Sequence, residues 1–216
     1  MTINKTYAVF GLGRYGLSVA EELVNDGAEV LAVDINENIV NDAIEFIPYC
    51  KCADVTDPDV IKQLGISNVD VVIIAMAGSL EASVMATMLC KDAGVENVIV
   101  KCANEMHKKI LTKVGADTVV FPENESGIRL AKNLLSSGFI DIIDLSKDVS
   151  MFEISVRDEW IGKNLVTLDL RKKYGINVVA LCKGDDVTTE VNPTMPLEKG
   201  LKLIVVANGE KLKKMK

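Results

Sequence analysis

Histidine is almost absent from this sequence, His107 being the sole example, and the five cysteines follow no pairing pattern. Each shortage removes a class of function. His107 sits in the polar run NEMHKKI, where a solvated helix face is its simplest role. Cys50, Cys52, Cys90, Cys102 and Cys182 are odd in number and lie mostly in apolar strand-like or helical runs, so buried free thiols are expected rather than disulfides. The pair in YCKCAD is C-x-C, not C-x-x-C, and has no second pair, which argues against zinc. No uncharged apolar run reaches the roughly 18 residues of a membrane helix. The start, MTINKTYAVFG, lacks the charged-then-apolar block of a signal peptide because a glycine-rich turn interrupts it, so a cytoplasmic protein is expected. Basic residues are short too: 24 Lys and Arg against 31 Asp and Glu leave a net charge of -7, whereas a general grip on nucleic acid needs a basic face. Only the final GEKLKKMK is basic, and it suits a solvated helix end.

What is present is apolar and periodic. The 216 residues are 49% hydrophobic with five prolines, enough for one or two cores and too apolar for disorder. Up to about residue 138, β-branched runs (YAVFG, EVLAVD, IPYCKC, DVVIIA, NVIVKC, DTVVFP) alternate with helical stretches such as Leu17 to Asn25, Asn36 to Glu45 and Leu80 to Asp92. Strands joined by crossovers form a parallel sheet covered on both faces. The expected class is therefore α/β, a Rossmann-like doubly wound parallel sheet of strand order 3-2-1-4-5-6. From IDIIDLSKDVSMFEISV onward, strands follow one another across Gly, Asp and Pro turns, with one helix near Val166 to Lys173. That shift predicts a small C-terminal α+β domain over 139–216, behind a nucleotide-binding domain over 1–138.

The strongest chemical signal is Gly11-Leu-Gly13-Arg-Tyr-Gly16 between an apolar strand and a helix, with Asp34 closing the second strand 18 residues beyond Gly16. Gly11 permits the tight turn, Gly13 lets backbone approach a pyrophosphate, and Gly16 lets the helix pack closely on the strand. Amides at the helix N-terminus supply positive potential for phosphates. Asp34 would accept from adenosine ribose hydroxyls, and its charge would repel a 2′-phosphate.

Further candidates lie at the carboxyl ends of the other strands. In ADVTD, Asp54 and Thr56 would face the adenine end, while Thr56 or Asp57 before Pro58 equally suits a helix N-cap. In AMAGSLEAS, Ala77 and Gly78 offer close-approach backbone or a helix start. Lys101 ends the fifth strand. Glu123 follows the sixth in FPENES, either holding a cation or opposing a helix dipole after Pro122. The set expected round a nucleotide is Gly11, Gly13, Arg14, Tyr15, Gly16, Asp34, Ile35, Asn36, Asp54, Val55, Thr56, Ala77, Gly78, Lys101 and Glu123. No nucleophile elbow or metal cluster follows them, so nothing specific supports catalysis.

The order GLGRYG, LAVDINE, ADVTD, VKCANEMHKKILTKVGAD, VVFPENESG and LVTLDLRKKYGINVVAL resembles the cytosolic regulatory subunit of bacterial potassium-uptake systems, the KtrA/TrkA type of RCK protein. The resemblance covers nearly the whole chain, as RCK_N (TrkA-N) followed by RCK_C (TrkA-C). It implies no enzymatic activity, a homodimer assembling into an octameric ring, and a membrane-embedded potassium translocator as partner. The chain would then be cytoplasmic and peripheral to the inner face of the cell membrane. It implies ATP/ADP as the ligand, with NAD(H) an alternative. In this setting Arg14 reaches a terminal phosphate that loop amides cannot match, a guanidinium being suited to bidentate phosphate contact. An exposed Arg pairing with a surface carboxylate is the plainer role. Glu123 matches an acidic residue where a divalent cation, Mg or Ca, is bound, with Glu125 the other contributor to weigh. In some relatives the C-terminal domain receives cyclic di-AMP. Here Leu165, Val166, Asp169, Arg171, Asn177 and Val178 supply that arrangement, against a dimerising apolar surface without ligand. The other open class is a NAD(H)-responsive regulator or a small NAD-dependent oxidoreductase. A repressor is disfavoured by the acidic balance and the lack of a basic helix-turn-helix segment.

Overall fold

The structure, a computed structural model, describes residues 5–135, 139–146, 148–184 and 186–208. It divides into two units, Met1–Pro122 and Glu123–Lys216. The first runs β1 (Thr6–Phe10), α1 (Arg14–Asn25), β2 (Glu29–Asp34), α2 (Glu37–Ala43), β3 (Tyr49–Cys52), α3 (Pro58–Gln63), β4 (Val71–Ile74), α4 (Leu80–Asp92), β5 (Asn97–Lys101), α5 (Glu105–Val114) and β6 (Thr118–Val120). The sheet order is β3-β2-β1-β4-β5-β6 with every pair parallel, which is the doubly wound arrangement expected. Both faces are buried. Ala8, Phe10, Val33, Val72 and Ile74 pack on one side, and Val9, Ala32 and Ile73 on the other, as the two-residue period of a strand dictates.

Polar side chains start four of the five helices. Asn36 accepts from the Asn38 amide, Asp57 from Asp59, Ser79 from Ala82 and Asn104 from His107, each relieving an amide with no helical acceptor. Helix α1 differs. Its N-cap is Gly13, and no side chain of the described residues caps it. Strand order reverses between β1 and β4, and the segments following those two strands flank the place where ligands bind in such sheets.

The second unit continues through α6 (Pro122–Leu135), β7 (Phe139–Asp144), β8 (Val149–Ser155), α7 (Leu165–Leu168), α8 (Leu170–Tyr174), β9 (Ile176–Lys183), β10 (Asp186–Thr188) and β11 (Lys202–Asn208). Helix α6, expected to close the first domain, goes with this unit. Its antiparallel sheet is ordered β10-β9-β11-β8-β7, over a core of Phe152, Ile154, Trp160, Leu168, Leu170, Leu203 and Val205. The expected single helix near Val166 to Lys173 is instead two short ones, broken at Asp169, whose backbone is left-handed at φ 47, ψ 46. An unbroken helix would put Leu168 and Leu170 about 200° apart round its axis, on opposite faces. The break lets both enter one core, at 6% and 3% exposure, and Asp is among the few non-glycine residues that tolerate this conformation.

Candidate functional site

A cleft of about 410 Å³ opens at the carboxyl ends of β1 to β4. Of the expected residues, Gly11, Gly13, Asp34, Ile35, Asp54, Val55, Thr56, Ala77 and Gly78 line it. The structure thus gathers four sequence-distant segments round one space. Val33, Ile39, Ala53, Ala75, Met76, Ser79 and Ala82 complete the lining. These were not anticipated, because an apolar floor has no signature beyond adjoining the motif residues.

Each motif glycine meets a different demand. Gly11 has φ 88, and a Cβ there would lie 2.8 Å from the Met76 side chain and 3.3 Å from the Ala75 carbonyl carbon. At Gly16 a Cβ would overlap the Gly11 carbonyl oxygen and stand 3.0 Å from Ala75 Cβ. Gly13 is extended at φ -64, ψ 179, and a Cβ there would meet no protein atom within 4 Å. The fold itself therefore requires glycine at 11 and 16 but not at 13.

Asp34 is half-buried, and both its oxygens are in use: Oδ2 accepts from the Leu12 amide at 2.7 Å and Oδ1 from the Asn36 amide at 2.8 Å. A carboxylate offers about four lone-pair sites, so one on each oxygen remains for further donors. Asn36 itself caps α2 and does not line the cleft. After β3, Asp54 Oδ1 accepts from the Thr56 hydroxyl at 2.7 Å and from the Thr56 amide at 2.9 Å. Those two bonds hold the Asp54 carboxyl below the usual carboxylate range, leaving it an acceptor only at neutral pH. The α3 cap falls to Asp57, so the Thr56 hydroxyl is engaged by Asp54 instead. After β4, Ser79 caps α4 while Ala77 and Gly78 form the wall.

Arg14 is the exposed first residue of α1 and is not among the lining residues. Nor are Tyr15, Gly16 and Lys101. Lys101 Nζ lies 5.5 Å from the centre of the Tyr15 ring, a cation–π contact that joins the end of β5 to the first turn of α1. Glu123 belongs to the second unit, in the first turn of α6 with Glu125, where acids favour the helix dipole. Among the described residues no three His, Cys, Asp or Glu gather as a metal site. Of the second candidate set, Leu165 and Val166 lie in α7, Asp169 at the break, Arg171 in α8, and Asn177 and Val178 in β9. Leu165 and Val178 pack against the core, whereas Val166 is 59% exposed. All five cysteines are free, and burial pushes the Cys90 thiol up to about 12. No helix of the described residues is long and apolar enough to cross a membrane.

The family model of the TrkA-N domain matches residues 7–122, and that of the TrkA-C domain residues 149–216. The chain belongs to the TrkA-N/TrkA-C family. It is similar to Ktr system potassium uptake protein C of Bacillus subtilis (strain 168), 38% identical over 206 residues that make up 95% of this chain and 93% of that protein. Ktr system potassium uptake protein A of Vibrio alginolyticus is 36% identical over 211 residues, 98% of this chain and 96% of the other. Among solved structures, the GsuK channel superposes with a TM-score of 0.70 at 16% identity, over 99% of this chain and 39% of that one. The GsuK channel bound to NAD gives a TM-score of 0.53 at 22% identity, over 98% of this chain and 38% of that one. This TrkA-N/TrkA-C chain therefore spans under half the length of the GsuK chains whose fold it shares.

Proposed function

We propose that the chain is the nucleotide-binding regulatory subunit of a potassium-uptake system, without catalytic activity of its own. The Ktr proteins it resembles over almost their full length support the potassium-uptake role. The observation that carries the ligand is Asp34, which lines the cleft beside the glycine turn and is held by two backbone amides, one of them from that turn. Its remaining lone pairs suit the two hydroxyls of a ribose, and the uncapped N-terminus of α1 suits phosphates. Gly13, which the fold does not require to be glycine, keeps that approach open. ATP and ADP exchange in this cleft, changing the shape of an octameric ring built from homodimers. The ring is cytoplasmic and docks on a membrane-embedded potassium translocator. Calorimetric titration with ATP, ADP, NADH and cyclic di-AMP tests the reading. ATP and ADP are expected to bind once per protomer. NADH binding alone would favour a NAD(H)-responsive regulator, and no binding by any of them would refute the cleft's assignment. Glu123 holds Mg or Ca beside the phosphates of a neighbouring site, and the α7–α8 face with β9 serves as a dimer surface, cyclic di-AMP being the ligand that would displace that role.

Arg14 then distinguishes ATP from ADP. Arg14→Ala is expected to lower ATP affinity by roughly tenfold or more, and ADP affinity much less, because a charged contact to the terminal phosphate is lost. Lysine should restore only part, since a point charge lacks the fork. Equal losses for the two nucleotides would assign Arg14 to the shared phosphates, leaving Lys101 as the next candidate. Assembly is tested by light scattering, where closed rings of dimers are expected at micromolar concentration. A monomer with and without ATP would contradict it.

A further inference from the structure

The role of Asp34 does not end at a ribose. Its Oδ2 accepts from the amide of Leu12 at 2.7 Å, a residue whose side chain is only 2% exposed, so Leu12 is fixed through both side chain and backbone. The preceding amide, of Gly11, donates to the Val33 carbonyl at 2.8 Å. The first two amides of the turn are thus tied to the end of β2, just ahead of the N-terminus of α1. A turn holding glycines at 11, 13 and 16 loses more conformational entropy on ordering than one of ordinary residues. A charged acceptor at its second residue offsets part of that loss, charge-assisted bonds being the stronger kind.

We propose that Asp34 is a positioning residue for the glycine turn as well as a ribose acceptor: by holding Leu12, its carboxylate keeps the segment from Gly11 to Gly16 in the shape that receives phosphate. The inference rests on the nucleotide reading of the cleft but goes past it, since it assigns Asp34 an effect on a part of the ligand it does not touch. Charge alone predicts the opposite, because removing a carboxylate from near phosphates relieves repulsion.

The test compares wild-type protein, Asp34→Ala and Asp34→Asn for binding of ATP and of 2′,3′-dideoxy-ATP, which lacks the hydroxyls a ribose acceptor would hold. Asp34→Ala is expected to weaken dideoxy-ATP binding by at least about fivefold, and ATP binding by a larger factor that includes the lost hydroxyl contacts. Asp34→Asn, which keeps one acceptor oxygen, should recover part of the dideoxy-ATP loss. Hydrogen exchange gives a second readout: without nucleotide, the peptide containing Leu12 and Gly13 should exchange faster in Asp34→Ala, while peptides from β5 and β6 stay unchanged. Dideoxy-ATP binding that is equal or tighter in Asp34→Ala would overturn the proposal, as would wild-type protein that binds ATP but has no measurable affinity for dideoxy-ATP. Failure of wild-type protein to bind ATP, ADP or NADH would instead overturn the nucleotide reading itself, so the two failures are distinct.

Discussion

Gly16→Ala is expected to abolish measurable nucleotide binding and to lower the stability of the first unit. The added Cβ would occupy the space of the Gly11 carbonyl oxygen, and that oxygen belongs to backbone that cannot rotate aside. Ala75 Cβ, 3.0 Å away, blocks retreat along the sheet, so the first turn of α1 must lift. Overpacking of this kind costs about 1–3 kcal/mol in stability. The effect on binding is larger because the amides at the start of α1 move together: losing two charge-assisted bonds, at about 1.5–3 kcal/mol each, lowers affinity more than a hundredfold. Gly13→Ala is the control. Its Cβ meets no protein atom within 4 Å, so melting should be unchanged while nucleotide affinity falls. Thermal denaturation and calorimetry of the pair decide the matter. Normal ATP affinity in Gly16→Ala would mean that the first turn of α1 does not hold the phosphates.

The difference between these two glycines shows what could be read from the sequence. Spacing alone identifies all three as a set, and Asp34 with them, because a turn, a helix start and a strand end at fixed offsets form a local pattern. It also carries the strand order, since alternating elements with right-handed crossovers leave few other topologies. The bounds of β2 and α4 were legible to the residue, for each is closed by a polar residue against an apolar run. Spacing does not reveal that Gly16 is enclosed by Gly11 and Ala75, because Ala75, which follows β4, is distant along the chain. The Met76 floor and the Lys101–Tyr15 contact were hidden for the same reason. In the second unit, helical periodicity predicted one helix where there are two. The break at Asp169 serves the packing of Leu168 and Leu170, a demand that arises only once their shared core exists.

Phe152→Ala is expected to destabilise the second unit by about 3–5 kcal/mol while leaving nucleotide binding by the first intact. Phe152 is 1% exposed in β8, pairs in register with Val205 of β11, and packs in the cluster containing Trp160 and Leu203. Its removal loses the apolar contacts and leaves a cavity that a sheet tied on both sides by β7 and β11 cannot close. Small domains hold only about 5–15 kcal/mol against unfolding, so the loss would bring this unit near its threshold. The cores of the two units share no residue, which predicts separable responses. Calorimetric melting should show ATP raising one transition by mass action and Phe152→Ala lowering the other. A single transition that responds to both would mean that the units unfold together, and an energetic link between the cleft and the C-terminal sheet would then be measured directly by its shift.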